Sequence, residues 1–82
     1  MGLTIEEFRT TRVATTWTVE KCQSMGYEPS EDASVLVYED ESFIVCLPNG
    51  EYWLPIGNEE YQSEFLELME EILYKDWYLH NL

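Results

Sequence analysis

Three apolar segments in the middle of the chain predict β-strands. The segments are residues 34–38, 43–47 and 51–56. They are rich in β-branched and aromatic residues, which suit the pleated, half-buried surface of a sheet. The first connection, residues 39–42, is polar, and the second contains Asn49-Gly50, the strongest short signal of a hairpin between apolar segments. The pattern therefore predicts a three-stranded antiparallel meander.

The positions of the strands within this meander follow from their polarity. The middle segment is apolar throughout, whereas the first and third are interrupted by polar residues. A strand without polar positions is typical of the centre of a sheet. We therefore expect residues 43–47 to form the central strand. Pro55 has no backbone N–H to donate, so the third segment is expected at an edge.

The C-terminal segment predicts an amphipathic helix. Asn58 is a suitable cap, and two acidic residues follow it in the first turn. From Phe65 onwards apolar residues recur at positions i, i+3, i+4, i+7 and i+8, which places a broad stripe on one face. We expect the helix to continue to about Leu79 and the stripe to pack on the sheet. The residues expected to be mostly buried are Phe43, Val45, Trp53, Phe65, Leu68 and Ile72.

The N-terminal segment also predicts helix. Thr4 and Glu7 have the spacing of a capping box, so a helix should begin at Ile5. The whole chain of 82 residues is long enough for one compact core and too short for two. The sequence thus predicts one acidic α+β domain over residues 1–82. Its parts are a helical N-terminal segment, a three-stranded antiparallel meander, and a C-terminal amphipathic helix, with the helices covering one sheet face.

The stretch after the first helix is ambiguous. Residues 13–19 alternate as in a strand, whereas residues 19–25 contain apolar residues at helical spacing. We favour a break within residues 10–16, followed by a second short helix that ends at Gly26, because glycine suits a left-handed helix cap. The conformation of residues 10–20 stays open.

The charge of the chain indicates what kind of partner it binds. Seventeen Asp and Glu residues against four Lys and Arg give a net charge of −13. A small domain needs a magnitude of only about 2 to 8 for solubility. An aromatic content of 15% is typical of a folded chain and not of an acidic disordered one. Because clustered Lys and Arg are missing, direct binding of nucleic acid or an anionic membrane is disfavoured. We expect a basic protein as the partner.

The acidic residues are segregated along the chain. No Lys or Arg occurs between Lys21 and Lys75. On the predicted helix, glutamates at i, i+4, i+7 and i+11 form a row that could imitate phosphates, with Glu70 beside it. A helix face that is merely solvated is the alternative, although such faces usually interleave Lys with Glu. The candidate partner-binding residues are Glu60, Glu64, Glu67, Glu70 and Glu71, together with the acidic turn Glu39, Asp40 and Glu41.

The residues needed for common catalytic and metal chemistry are sparse. The chain has one histidine, His80, and its two cysteines lack zinc-site spacing. It has no glycine-rich phosphate loop and no calcium loop. We therefore expect no enzymatic activity, no cofactor and no metal. Cys22 and Cys46 are expected to be free thiols, although their redox state stays open. With no apolar stretch of roughly 20 residues and no signal peptide, a cytoplasmic location is expected.

The chain is small, has no Lys or Arg from Cys22 to Tyr74, carries the glutamate row, and is predicted to have the order helix, three strands, helix. In these features it resembles a class of small acidic inhibitors. These are proteins of phages and mobile elements, including anti-CRISPR proteins and other DNA mimics. We expect a monomer or homodimer, located in the host cytoplasm if the protein is encoded by a phage. Such a protein would occupy the DNA- or RNA-binding surface of a bacterial defence nuclease, or block the assembly of that nuclease.

Two alternatives remain beside this resemblance. One is an immunity protein or antitoxin that neutralises a basic nuclease, since acidic residues would again face a cationic surface. The other is a structural or regulatory subunit in which the acidic residues only confer solubility. In that case exposed aromatic residues, such as Tyr52 and Trp53, would bind the partner.

Overall fold

A five-stranded antiparallel sheet forms the centre of the protein. The computed structural model describes residues 3–39 and 41–80. The strands are β1 (Val13–Trp17), β2 (Ala33–Val37), β3 (Phe43–Cys46), β4 (Tyr52–Ile56) and β5 (Glu59–Ser63), and the helices are α1 (Ile5–Thr10), α2 (Val19–Ser24) and α3 (Leu66–His80). The strands lie side by side in chain order, each antiparallel to its neighbour. The expected α+β class is confirmed, but the expected three-stranded meander is wrong because β1 and β5 extend it on both sides.

Strand β5 occupies the segment that was expected to begin the C-terminal helix. Ile56 pairs with Glu59, so Gly57 and Asn58 form a two-residue hairpin turn. Gly57 has a φ of 59°, a left-handed conformation that glycine adopts without a steric penalty. Gly-Asn between two strands is a hairpin signal, and here it outweighs the capping potential of Asn58. The helix therefore begins only at Leu66.

Strand β3 is central, as expected, but Pro55 is not on an edge strand. Strand β4 lies between β3 and β5. The pairing of β4 with β3 covers only Tyr52 and Trp53, whereas Pro55 is paired with Glu60 of β5. Pro55 thus lies beyond the end of the β3–β4 pairing, where its missing N–H removes no hydrogen bond to β3.

The N-terminal capping box is present. Thr4 Oγ1 accepts a hydrogen bond from the Glu7 N–H at 3.2 Å, and the Glu7 carboxylate accepts one from the Thr4 N–H at 3.0 Å. Much of the segment expected to be a break is β1, so its strand-like alternation was the correct signal there. The expected second short helix is α2, which Thr18 caps. Gly26 follows it with a φ of 88°, the expected left-handed conformation.

The two faces of the sheet carry separate cores. The α1/α3 face is buried by Phe8, Tyr38, Ile44, Leu54, Met69 and Leu73. The α2 face is buried by Cys22, Ala33, Val35, Val45 and Trp53. Helices therefore cover both faces, and the expectation that they cover only one is wrong. This arrangement explains why β3 is apolar throughout, since neither of its faces meets solvent.

The expected core is only partly correct. Val45 and Trp53 are buried, and Phe43 and Ile72 are partly buried. Phe65 and Leu68 are exposed, with 62% and 48% of their surface accessible, so their predicted burial is wrong. Because α3 begins at Leu66, the helix rests on the sheet through Met69 and Leu73 and leaves the start of the expected stripe in solvent.

A pair of matched substitutions tests this packing. Phe8 is 1% exposed and stacks on Tyr38 with ring centroids 4.7 Å apart. We expect Phe8→Ala to lower the free energy of unfolding by about 3 to 5 kcal/mol through lost burial and a residual cavity. Phe65→Ala should change it by less than about 0.5 kcal/mol, as is usual for exposed sites. Urea unfolding followed by tryptophan fluorescence measures both. Equal losses for the two variants would contradict the assignment of Phe65 to the surface.

Candidate functional site: an acidic surface beside an internal ion-pair network

The expected glutamate row is divided between two elements. Glu60 lies in β5, and Glu64 lies between β5 and α3. Only Glu67 and Glu71 of the row are helical; they are four residues apart and both exposed. Residues four apart lie about 6 Å apart along a helix axis. A single row of four carboxylates on one helix is therefore not formed.

Three members of the row nevertheless remain close in sequence and exposed at the start of α3. We define Glu64, Glu67 and Glu71 as the acidic strip. The exposed side chains of Phe65 and Leu68 alternate with it along the chain. Leu68 is one turn from Glu71 on the helix surface, so apolar and acidic groups share this part of the protein. Sequence reasoning missed this combination because both apolar residues were expected in the core.

Glu70, which was expected to flank the row, is instead the centre of an internal network. It is 1% exposed, so its carboxylate is not available to a partner. Its Oε1 accepts a hydrogen bond from Arg9 Nε at 3.2 Å. Its Oε2 accepts from Arg12 Nη1 at 3.1 Å and from the Tyr38 hydroxyl at 2.6 Å. Two cations and a hydroxyl thus compensate the buried charge, as such a charge requires.

The network has a signal in the sequence. Glu70 is four residues after Leu66 and three before Leu73, so it falls within the buried side of α3. An acid at such a position calls for a cationic partner, and Arg9 and Arg12 are two of only four Lys and Arg residues. The sequence could not indicate how α1 and α3 are paired, and so the network was missed.

Tyr38 is held in its neutral form by this environment. Burial raises the pKa of the Tyr38 hydroxyl above its ordinary range, and the hydrogen bond to Glu70 and the negative charge of Glu70 raise it further. Arg12 opposes these effects by lowering the pKa. The hydroxyl is therefore a hydrogen-bond donor to the carboxylate, and not an acid or base poised to titrate near neutral pH.

The network also affects which charged side chains are available on the surface. Arg9 and Arg12 both point to Glu70, and Arg9 also donates to the backbone carbonyl of Glu67 at 3.4 Å. The two ion pairs shown between described residues therefore end on one buried carboxylate. The exposed carboxylates of the described chain are Glu6, Glu7, Glu20, Glu28, Glu31, Asp32, Glu39, Glu41, Glu59, Glu60, Glu64, Glu67 and Glu71. Two of the four basic side chains are thus committed to one internal carboxylate, although 28% of Arg9 and 39% of Arg12 stay accessible.

The other candidate residues lie apart from the acidic strip. Glu39 and Glu41 are exposed at the turn from β2 to β3, and Asp40 lies outside the described residues. Glu41 has a φ of 71° and donates its N–H to the Tyr38 carbonyl at 3.0 Å, which closes the turn. Glu60 lines a shallow cleft on the α2 face together with Trp53 and neighbouring residues.

The aromatic residues expected as an exposed contact are packed inside. Trp53 is 9% exposed and stacks on Tyr27, with ring centroids 4.8 Å apart. Tyr52 is partly buried against the core of the α1/α3 face. Cys22 and Cys46 are free thiols, and only Cys22 is fully buried. In the described part of the chain no cluster of His, Cys, Asp and Glu could hold a metal ion. Over the same residues, no helix has the length and apolar character needed to cross a bilayer.

Comparison with known proteins gives no relative: the chain matches no family model, no curated protein and no solved structure at a significant level. Function therefore has to be inferred from the surface itself.

The raised pKa of Tyr38 makes stability depend on alkaline pH. Its folded-state pKa lies above the value of about 10 in an unfolded chain. The stabilisation it provides is therefore complete below pH 10 and is lost as pH rises further, by about 1.4 kcal/mol per pH unit. We expect Tyr38→Phe to be less stable than the unaltered protein at pH 8 and the gap to narrow above pH 10. Urea unfolding across this range measures the gap, and the titration of the other tyrosines, which is common to both proteins, cancels in it. A gap independent of pH would contradict the prediction.

Proposed function

We propose that this protein binds the cationic nucleic-acid-binding surface of another protein, such as a bacterial defence nuclease, and inhibits it by excluding the nucleic acid. The observation that carries the proposal is the acidic strip with exposed Phe65 and Leu68 beside it. Binding by this surface involves no catalytic step, so the proposed function is not enzymatic.

The electrostatic part of the argument rests on the placement of the arginines. A basic partner is attracted by negative charges that no cation of the protein itself compensates. Arg9 and Arg12 line the same cleft as Glu64 and Glu67, but both ion pairs that they form between described residues are with Glu70 and not with the acidic strip. The strip is thus able to attract arginines and lysines from a partner.

The apolar part of the argument favours a protein as the bound species. Exposed apolar groups rimmed by charged residues are typical of protein–protein interfaces, in which a desolvated centre is surrounded by a polar border. Phe65 and Leu68 supply such groups, and the acidic strip supplies the border. A face that only confers solubility would not need a large exposed aromatic residue.

The rigidity of α3 supports the same conclusion. Met69 and Leu73 fix the helix on the sheet, and Glu70 fixes it to α1 and β2. Carboxylates that are already positioned lose less conformational entropy when they bind than carboxylates on a flexible tail would. The acidic turn at Glu39 and Glu41 is a second proposed contact.

Charge reversal in the acidic strip tests the proposal. We expect Glu64→Lys/Glu67→Lys to weaken binding and inhibition of a sensitive nuclease at least about tenfold, equivalent to about 1.4 kcal/mol, because attraction to the cationic surface becomes repulsion. The matched control is Glu28→Lys/Glu31→Lys, which makes the same charge change in the exposed loop between α2 and β2. The assay is release of labelled nucleic acid from members of a panel of purified bacterial nucleases, with circular dichroism to verify folding.

The two variants separate a local effect from a global one. If the control weakens inhibition as much as the strip variant, only net charge matters and the strip is not the contact. If the strip variant displaces nucleic acid as well as the unaltered protein does, the strip is a solvated surface. Raising the salt concentration should weaken the unaltered protein more than the strip variant, because screening acts on the charges that remain.

The protein itself should not bind nucleic acid. Its net charge of −13, with only four Lys and Arg against seventeen Asp and Glu, makes contact with phosphates unfavourable. We expect no retardation of duplex DNA, single-stranded DNA or RNA at physiological salt in a gel-shift assay, even with the protein at micromolar concentrations. A shift under these conditions would contradict the proposed direction of charge complementarity.

A further inference from the structure

The two edges of the sheet differ in how they are protected. An exposed edge strand presents unpaired N–H and C=O groups and invites a further strand, unless charges, prolines or bulges prevent it. Strand β5 carries Glu59 and Glu60, and both are exposed. Strand β1 has the sequence Val-Ala-Thr-Thr-Trp, with no charge and no proline. Of these two edge strands, only β5 therefore carries charged residues that disfavour pairing with a further strand.

Strand β1 is also open to solvent. Residues 13–16 are all exposed, and Val13 has 61% of its surface accessible. Thr15 is paired with Val35 of β2, so the opposite side of its backbone faces outward. An apolar residue and three small residues at an open edge form a flat surface that a second strand can approach.

The local charge identifies what could approach. Residues 8–19 contain no Asp or Glu, although the chain carries seventeen. The nearest acidic residues lie at the two ends of the strand: Asp32 accepts a hydrogen bond from the Val19 N–H, and the Glu39 N–H donates to Thr11 Oγ1. A basic partner finds no carboxylate within β1 itself, whereas it does on the acidic surfaces elsewhere. A second copy of this chain, itself at −13, meets no like charge within the strand.

We propose that β1 pairs with β1 of a second copy to form one continuous ten-stranded antiparallel sheet. Maximal overlap of the two strands places the two-fold axis at Thr15, so that Val13 of each copy lies opposite Trp17 of the other. Val13, Thr15 and Trp17 are paired with residues of β2 that face α2, so these cross-strand contacts lie on the α2 face. The exposed Val13 side chain is thereby partly covered at the edge of Trp17, whose ring stays packed on Phe43 of its own copy.

The proposed dimer does not depend on the proposed function. Salt should strengthen dimer formation, whereas it should weaken binding of a basic partner. Screening weakens attraction between the acidic strip and a basic partner but relieves repulsion between two copies at −13. Self-association should therefore tighten when salt is raised from about 0.1 M, where the Debye length is about 10 Å, to about 1 M, where it is about 3 Å.

Sedimentation velocity at protein concentrations up to about 1 mM measures the dissociation constant of the dimer. This concentration range detects even weak association. Thr15→Glu places two like charges directly opposite each other and should raise the dissociation constant at least about tenfold. The control Gln62→Glu adds the same charge to β5, where it also removes the hydrogen bond from the Gln62 amide to Glu51. Because β5 lies outside the proposed interface, it should leave the dissociation constant within about twofold. Circular dichroism verifies that both variants are folded.

A cross-link tests the register. Thr15→Cys should give a covalent dimer on mild oxidation, because the two β-carbons at the axis lie about 4.5 to 5.5 Å apart. The controls are Gln62→Cys and the unaltered protein, which retains Cys22 and Cys46; neither should cross-link in this way. A chain that stays monomeric at about 1 mM in about 1 M salt overturns the proposal. A dimer that Thr15→Glu and Gln62→Glu weaken equally overturns it as well.

Discussion

The buried carboxylate of Glu70 is the interaction on which the arrangement of this protein depends. It joins α3 to α1 through Arg9, to the turn between α1 and β1 through Arg12, and to the end of β2 through the Tyr38 hydroxyl. An unpaired carboxylate at 1% exposure would be strongly unfavourable, so α1 and α3 must pack together if the fold is to form. The same contact withdraws two of four basic side chains from other pairings. A single internal requirement therefore shapes both the packing of the helices and the electrostatic character of the surface.

The sequence predicts local features of this fold well and the arrangement of its layers poorly. The strands around Asn49-Gly50, the capping box at Thr4 and the left-handed Gly26 follow from short-range chemistry, and all three are present. Gly57-Asn58 allowed both a helix cap and a hairpin, and only pairing with β4 decides between them. Burial on both faces of the sheet is likewise a tertiary property. The apolar character of β3 was compatible with that burial but did not by itself reveal α2 on the second face.

The candidate surface was predicted in composition but not in geometry. Glu64, Glu67 and Glu71 are exposed near one end of α3, whereas Glu60 lies in β5 and Glu70 lies in the interior. The expected apolar stripe was drawn from Phe65, which lies outside α3, and so it included Leu68 and left Glu70 beside the acidic row, although Leu66 and Leu73 place Glu70 on the buried side. Phe65 and Leu68 moved from the expected core to the surface for the same reason. Helix boundaries, and not residue types, therefore limited the prediction.

The sequential order of the strands has a consequence for folding kinetics. Every strand pairs with its neighbour in the chain, and β2 to β5 can pair one hairpin at a time across short turns, whereas β1 joins β2 across residues 18–32, which include α2. The contacts of Arg9 and Arg12 with Glu70, in contrast, span 61 and 58 residues. We expect these contacts to form after the sheet, so that they are weak in the folding transition state. Loss of the network should then accelerate unfolding far more than it slows folding. The lifetime of the native state would therefore depend on the contacts of Arg9 and Arg12 with Glu70.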